Sequence, residues 1–146
     1  MLNFISSPIG NLNDISLRSI NVLKNSDYIF SEDTRVSSKL LNFAKINKKP
    51  ISFHEHNEKT VTKRIISLLK DDKEVSIMCD AGMPAISDPG FFLIKECIKE
   101  DLKFTVIPGP SSVLNALVLS GISTASFIFL GFMPKKESKR NEYIDL

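Results

Sequence analysis

Short apolar runs alternate along this chain with longer stretches whose apolar residues recur at helical spacing. Leu2 to Ser6, Asp27 to Ser31, Pro50 to Phe53, Val75 to Met78 and Phe104 to Ile107 read as strands. Between the first two, Asp14 can cap a helix through Lys24, with Leu17, Ile20 and Leu23 on one face. Val36 to Ala44 predicts a short helix. The clearest periodicity is Lys59 to Lys70, where Val61, Ile65, Leu68 and Leu69 share a face and Lys59, Lys63, Arg64 and Lys70 stay polar. Phe91 to Lys99 predicts a helix with Phe91, Ile94 and Ile98 on one side. Val113 to Leu119, capped by Ser111 or Ser112, is apolar nearly all round, so burial is expected for it.

Strands that are apolar throughout and alternate with helices predict an α/β fold. The expected architecture is a mostly parallel five-stranded sheet with helices on both faces and right-handed crossovers. The carboxyl ends of the strands then share one edge, where open α/β sheets bind ligands. That edge receives every chemically loaded stretch: Ser7 to Leu12, Glu32 to Arg35, His54 to Glu58, Cys79 to Gly90 and Pro108 to Ser112. After Gly121 the pattern changes. Ile122 to Ser126 reads as a linker and Phe127 to Phe132 as another strand, followed by a basic run and the start of a helix. The expected division is therefore 1–121, an α/β domain, and 122–146, a linker and the first strand of a second domain that is cut short.

Composition narrows the class. The chain has 146 residues, 42% of them hydrophobic and 25% charged, within the range of one ordinary globular domain. A net charge of +2 neither demands nor excludes a nucleic-acid partner. Cys79 and Cys97 are too few for a disulfide framework and lack metal-ligand spacing. No leader-like segment opens the chain and no apolar run approaches membrane-spanning length, so a cytoplasmic protein is expected.

Cys79 to Gly90 packs Asp80, Asp88, Gly82, Gly90, Pro84 and Pro89 into one loop after a buried strand, which suits a binding loop better than a short connection. Pro108 to Ser112 opens a helix whose free N–H groups favour an anion, or is an ordinary capped turn. No Walker loop and no Gly-x-Gly-x-x-Gly is present. Glu32-Asp33-Thr34-Arg35 can bind substrate or hold an internal ion pair. In His54-Glu55-His56-Asn57-Glu58 the two histidines alternate and no third ligand has a recognisable spacing, so a solvated or substrate-facing cluster is expected, with no metal. Lys135, Lys136, Lys139 and Arg140 suit an RNA backbone or a solvated surface equally. Cys79 has no convincing base beside it and reads as packing.

Taken as an ordered series, Ser7-Pro8-Ile9-Gly10-Asn11-Leu12, Glu32-Asp33-Thr34-Arg35, His54-Glu55-His56-Asn57-Glu58, Asp80-Ala81-Gly82, Ile86-Ser87-Asp88-Pro89-Gly90, Pro108-Gly109-Pro110-Ser111 and Gly131-Phe132 resemble the small-subunit ribosomal RNA (cytidine-2′-O)-methyltransferase family. That family belongs to the tetrapyrrole-methylase-like class of S-adenosylmethionine (AdoMet) enzymes. The resemblance implies two α/β domains with AdoMet between them. It implies methylation of a cytidine ribose 2′-oxygen in the decoding region of 16S rRNA, the small ribosomal subunit as partner, and a homodimer. It places Asp80, Gly82, Ile86, Ser87, Ser111 and Ser112 at AdoMet. Gly10, Asn11, Arg35, His54, Lys135 and Lys136 fall toward the RNA, and Glu32, His54 and Glu55 are the candidate bases. The family's usual Ser is Cys79 here, its frequent Thr is Met83, and most of its second domain would lie beyond Leu146. A rival expectation is a non-catalytic first domain that binds RNA or dimerises. A third keeps the fold but takes a tetrapyrrole or protein side chain as substrate; the Glu32 and His54 motifs speak against it.

Overall fold

The computed structural model describes residues 1–144. The elements in chain order are β1 (Leu2–Ile5), α1 (Leu17–Asn25), β2 (Tyr28–Ser31), α2 (Thr34–Phe43), β3 (Ile51–Ser52), α3 (Glu58–Lys70), β4 (Val75–Met78), α4 (Phe91–Lys99), β5 (Phe104–Ile107), α5 (Ser112–Leu119) and α6 (Glu137–Ile144). The chain divides into two compact units, Met1–Ser111 and Ser112–Leu146, so that α5 opens the second.

In the first unit all five strands are parallel and lie in the order β3-β2-β4-β1-β5. The strands end level: Ile5 sits opposite Met78 and Ile107, and Ser31 opposite Met78. Period-two alternation sends Leu2, Phe4, Phe30 and Ile77 to one face, against Ile65 of α3 and Leu93 of α4. It sends Ile5, Ile29, Met78 and Ile107 to the other, against Leu23 of α1 and Leu41 of α2. The expected sheet with helices on both faces is therefore present. A buried polar pair sits on the second face, where the Ser26 and Ser76 hydroxyls are 2.6 Å apart and satisfy each other.

Local details correct the periodicity. Asp14 ends a separate 3-10 turn, Leu12–Asp14, and Ser16 caps α1 by accepting from the Ser19 N–H. Leu17 is 80% exposed, and Leu23 takes the core position. In α4 only Ile94 of the expected stripe packs against the core. Phe91 and Ile98 are 63% and 65% exposed, while Leu93 and Cys97 are buried. That helix is apolar on two sides, and which side faces inward is decided by how the helix lies on the sheet, a property that spacing does not contain.

In the second unit, α5 has no buried residue, contrary to the expected burial, and its Leu119 is 86% exposed. Phe127–Phe132 is not a strand; among the described residues nothing pairs with it. An extended segment becomes a strand only when a neighbour takes up its N–H and C=O groups. The expected helix after the basic run is α6.

Candidate functional site

Chain order around the sheet creates a cleft. From β1 the chain moves through β2 to β3 by way of α1 and α2 on one face, then returns through β4 to β5 by way of α3 and α4 on the other. The loop after β2 therefore leaves toward one face, and the loops after β3 and β4 toward the other. A crevice opens where they part, the place at which doubly wound sheets take ligands. Here it is a cleft of about 480 Å³ lined by Glu32 after β2, His54, Glu55, His56 and Glu58 after β3, and Ser87, Asp88 and Pro89 after β4.

The loop after β4 is bent into backbone conformations that side chains resist. Ala85 and Ser87 have φ of 66° and 63°, and Gly90 has φ of 136°. Several anchors hold it there. Ser7 and Gly82 exchange both backbone hydrogen bonds, at 2.8 and 3.0 Å. The Ser7 hydroxyl donates to the Cys79 carbonyl at 2.7 Å. Asp80 Oδ1 accepts from the Asp33 N–H at 3.0 Å, which ties the β4 loop to the β2 loop. At the far end the Gly90 N–H donates to Glu58 Oε1 at 2.8 Å. A Cβ on Gly90 would lie 3.1 Å from Ala85 Cβ and 3.2 Å from Phe4 Cε1, so this turn needs glycine for space as well as for φ.

Ser6, buried at the end of β1, joins two loops. Its hydroxyl lies 3.1 Å from both the Gly82 and the Pro110 carbonyls. Gly109 passes so close that a Cβ there would lie 2.8 Å from Ser6 Cβ. The β4 loop and the Pro108–Pro110 turn are thus set against each other by one serine.

The cleft gathers acids. Glu32 is held above its ordinary carboxylate range, first by partial burial and then by repulsion from Asp88, Asp80, Glu55 and Asp33. Asp88 is raised by burial, against the lowering effect of a hydrogen bond with the Cys79 thiol, with repulsion from Asp80 adding to the rise. Burial and Asp88 push the Cys79 thiol up, which fits packing rather than a nucleophile. Asp33 differs: the Arg35 fork, 2.6 Å at its shortest, holds its carboxyl down at about 2. His54 donates its backbone N–H to Asn57 Oδ1 at 2.9 Å, while its Nδ1 is buried without a hydrogen-bond partner. The His54 and His56 rings meet edge to face, 5.7 Å apart. Among the described residues no group of three or more His, Cys, Asp or Glu is placed to hold a metal ion.

The fold therefore brings Glu32, His54, Glu55 and Ser87 into one cleft. Asp80 and Gly82 sit below it as fasteners, and Ile86 is exposed. Gly10 and Asn11 are exposed beside the 3-10 turn, where Asn11 accepts from the Asn13 N–H. Arg35 points outward on Asp33. Ser111 ends the first unit; Ser112, Lys135 and Lys136 belong to the second, where both lysines are exposed. Sequence reasoning placed Glu58 and Asp88 in its motifs but gave them no role. For Asp88 the available signal was a carboxylate beside Pro89 and Gly90 at a loop end; for Glu58 it was a carboxylate at the start of the clearest helix.

An all-parallel sheet wound in both directions with a cleft at the reversal defines a doubly wound α/β protein. The crystal structure of a diphthine synthase shares this fold, with a TM-score of 0.69 and 18% identity, over 84% of this chain and 49% of that one. A uroporphyrin-III-C-methyltransferase from Thermus thermophilus gives 0.63 and 20%, over 86% and 53%. The sequence profile of the tetrapyrrole (corrin/porphyrin) methylases matches residues 1–144, and the chain belongs to that family. Ribosomal RNA small subunit methyltransferase I of Halalkalibacterium halodurans is 44% identical over 144 residues, 99% of this chain and 50% of the relative. Its namesake in Mycoplasmopsis pulmonis is 47% identical over 136 residues, 93% of this chain and 61% of the relative. The resemblance drawn from the motifs is borne out, and the chain spans about half to three-fifths of the length of these curated relatives. Among the described residues no helix is long and apolar enough to cross a membrane.

Proposed function

We propose that this chain is part of an AdoMet-dependent methyltransferase acting on the ribose 2′-OH of a cytidine in the decoding region of 16S rRNA, with the small ribosomal subunit as substrate. A cytoplasmic homodimer belongs to the same proposal. The observation that carries it is the identity with the ribosomal RNA small subunit methyltransferases along nearly the whole chain. The chemistry of the cleft supports it. Glu32 and Asp88, raised by burial and by carboxylate repulsion, would be relieved by a cationic ligand, so these residues fit AdoMet, whose sulfonium and ammonium are positive.

When bound, the cofactor supplies a methyl group on a good leaving group, so the protein's share is positioning and proton transfer. Ser87, Asp80, Gly82, Ile86 and Ser111 are the proposed cofactor-side residues in the first unit. His54, Glu55 and Arg35, with Gly10 and Asn11, are proposed for the RNA. Glu32 is the proposed base: it lines the same cleft as His54, Glu55 and Ser87, between the residues proposed for the RNA and those proposed for the cofactor. The Glu32 carboxylate would take the proton that the 2′-OH loses on methylation.

One observation favours a second reading, a folded first domain that needs further chain for chemistry: α5 is apolar and nothing in it is buried. Calorimetry with AdoMet on the 146-residue chain separates the two. Binding, together with methyl transfer to unmodified small subunits that Glu32→Gln reduces about a hundredfold, supports the first reading. No heat at millimolar AdoMet would mean that these 146 residues are not by themselves a competent enzyme, which is the second reading.

A further inference from the structure

We propose that Glu58 is a positioning residue, a latch that holds the β4–α4 loop in its strained shape and thereby fixes Ser87 and Asp88 against Glu32. For the part that concerns the cofactor, this rests on the function proposed above.

The loop needs such a device. Ala85 and Ser87 are left-handed without being glycine, and that conformation persists only where the surroundings impose it. The anchors at the start of the loop are many: the Ser7–Gly82 pair, the Ser7 hydroxyl and the Asp80–Asp33 bond. At its end the anchor is the Glu58 side chain. Gly90 is the N-cap of α4 and has no side chain to cap it with, and its N–H goes to Glu58 Oε1 at 2.8 Å. Ala85 and Phe4 crowd Gly90 on the side where a Cβ would stand, at 3.1 and 3.2 Å. Glu58 in turn stands in the first turn of α3, where the helix dipole favours its anion. One carboxylate therefore sits at two helix N-termini and crosses from the β3 loop to the β4 loop. It also lines the same cleft as the residues it positions.

A hydrogen bond to a charged acceptor predicts a readable effect. In Glu58→Ala, exchange of the Gly90 amide in the whole 146-residue chain rises about tenfold or more, and the amide signals of Ser87 and Asp88 shift. Glu58→Asp, whose shorter arm cannot span the gap, behaves the same way. Glu58→Gln keeps an oxygen acceptor and retains most of the protection. Glu55→Ala removes a charge from the same cleft without touching Gly90 and leaves its exchange unchanged. AdoMet affinity follows the same ranking, with Glu58→Ala weakest and Glu58→Gln close to the parent chain. If the parent binds AdoMet and Glu58→Ala matches it in both affinity and Gly90 exchange, the latch is wrong. Altered Gly90 exchange in a chain that binds no AdoMet would keep the latch and overturn the cofactor reading alone.

Discussion

Phe30, in the first unit, is fully covered by the sheet and its helices, whereas Phe132, in the second, is 86% exposed. The same contrast runs through both units. Leu93 of α4 disappears beneath its own helix, while no residue of the still more apolar α5 is buried, and its Leu114, Val118 and Leu119 are more than half exposed. Apolar content alone therefore does not bury a side chain. Burial requires a surface that the chain itself supplies, and in Met1–Ser111 that surface is a five-stranded sheet presenting two apolar faces.

The largest effect that would break this comparison is a core truncation. Phe30→Ala is expected to cost about 3–5 kcal/mol in urea unfolding, because it leaves a cavity between β2 and α3. Phe132→Ala should stay within about 0.5 kcal/mol of the parent. Equal losses at the two sites would mean that the second unit has a core after all.

The next effect sharpens the comparison at the strand ends, where the first unit is most tightly fitted. Gly109→Ala places a Cβ 2.8 Å from Ser6 Cβ, and an overpacking cost of about 1–3 kcal/mol follows. Combining it with Ser6→Gly removes the obstacle, so the double variant loses less than the sum of the singles. Strict additivity in that cycle would show that Ser6 is not the obstacle.

The smallest effect is electrostatic. Glu32 is raised above its ordinary 4.5, so the folded chain holds that proton more tightly than the unfolded chain does. Its contribution to stability is present below 4.5 and lost as pH rises through the folded value. Glu32→Gln should therefore raise the melting temperature at neutral pH by about 2 °C, and the gain should vanish in acid. Asp33 has the opposite sign: its contribution is present above 3.8 and is lost as pH falls toward about 2. A gain from Glu32→Gln that persisted in acid would assign it to packing instead of charge.

Much of the first unit was legible along the chain. Val75–Met78, Phe91–Lys99 and Phe104–Ile107 stand where their patterns put them. The shared ligand edge followed from parallel strands alone, and Glu32, His54, Glu55 and Ser87 do meet there. Other roles were not legible. In sequence Ser6 reads as the end of a strand and Ser7 as the start of a loop, yet both are buried and fasten the β4 loop. Asp80 looks like a ligand contact, yet one of its oxygens takes the Asp33 N–H. Each of these partnerships joins residues far apart in the chain.

By itself the sequence determined the alternation of strands and helices in the first unit and the edge on which the chemistry gathers, because both follow from local spacing and from the direction of successive strands. Tertiary structure alone decided which side of α4 faces inward, whether Phe127–Phe132 pairs, and where the Glu58 carboxylate ends up. Those outcomes depend on which surfaces and peptide groups come within reach once the sheet has formed, and spacing along a chain carries no record of that.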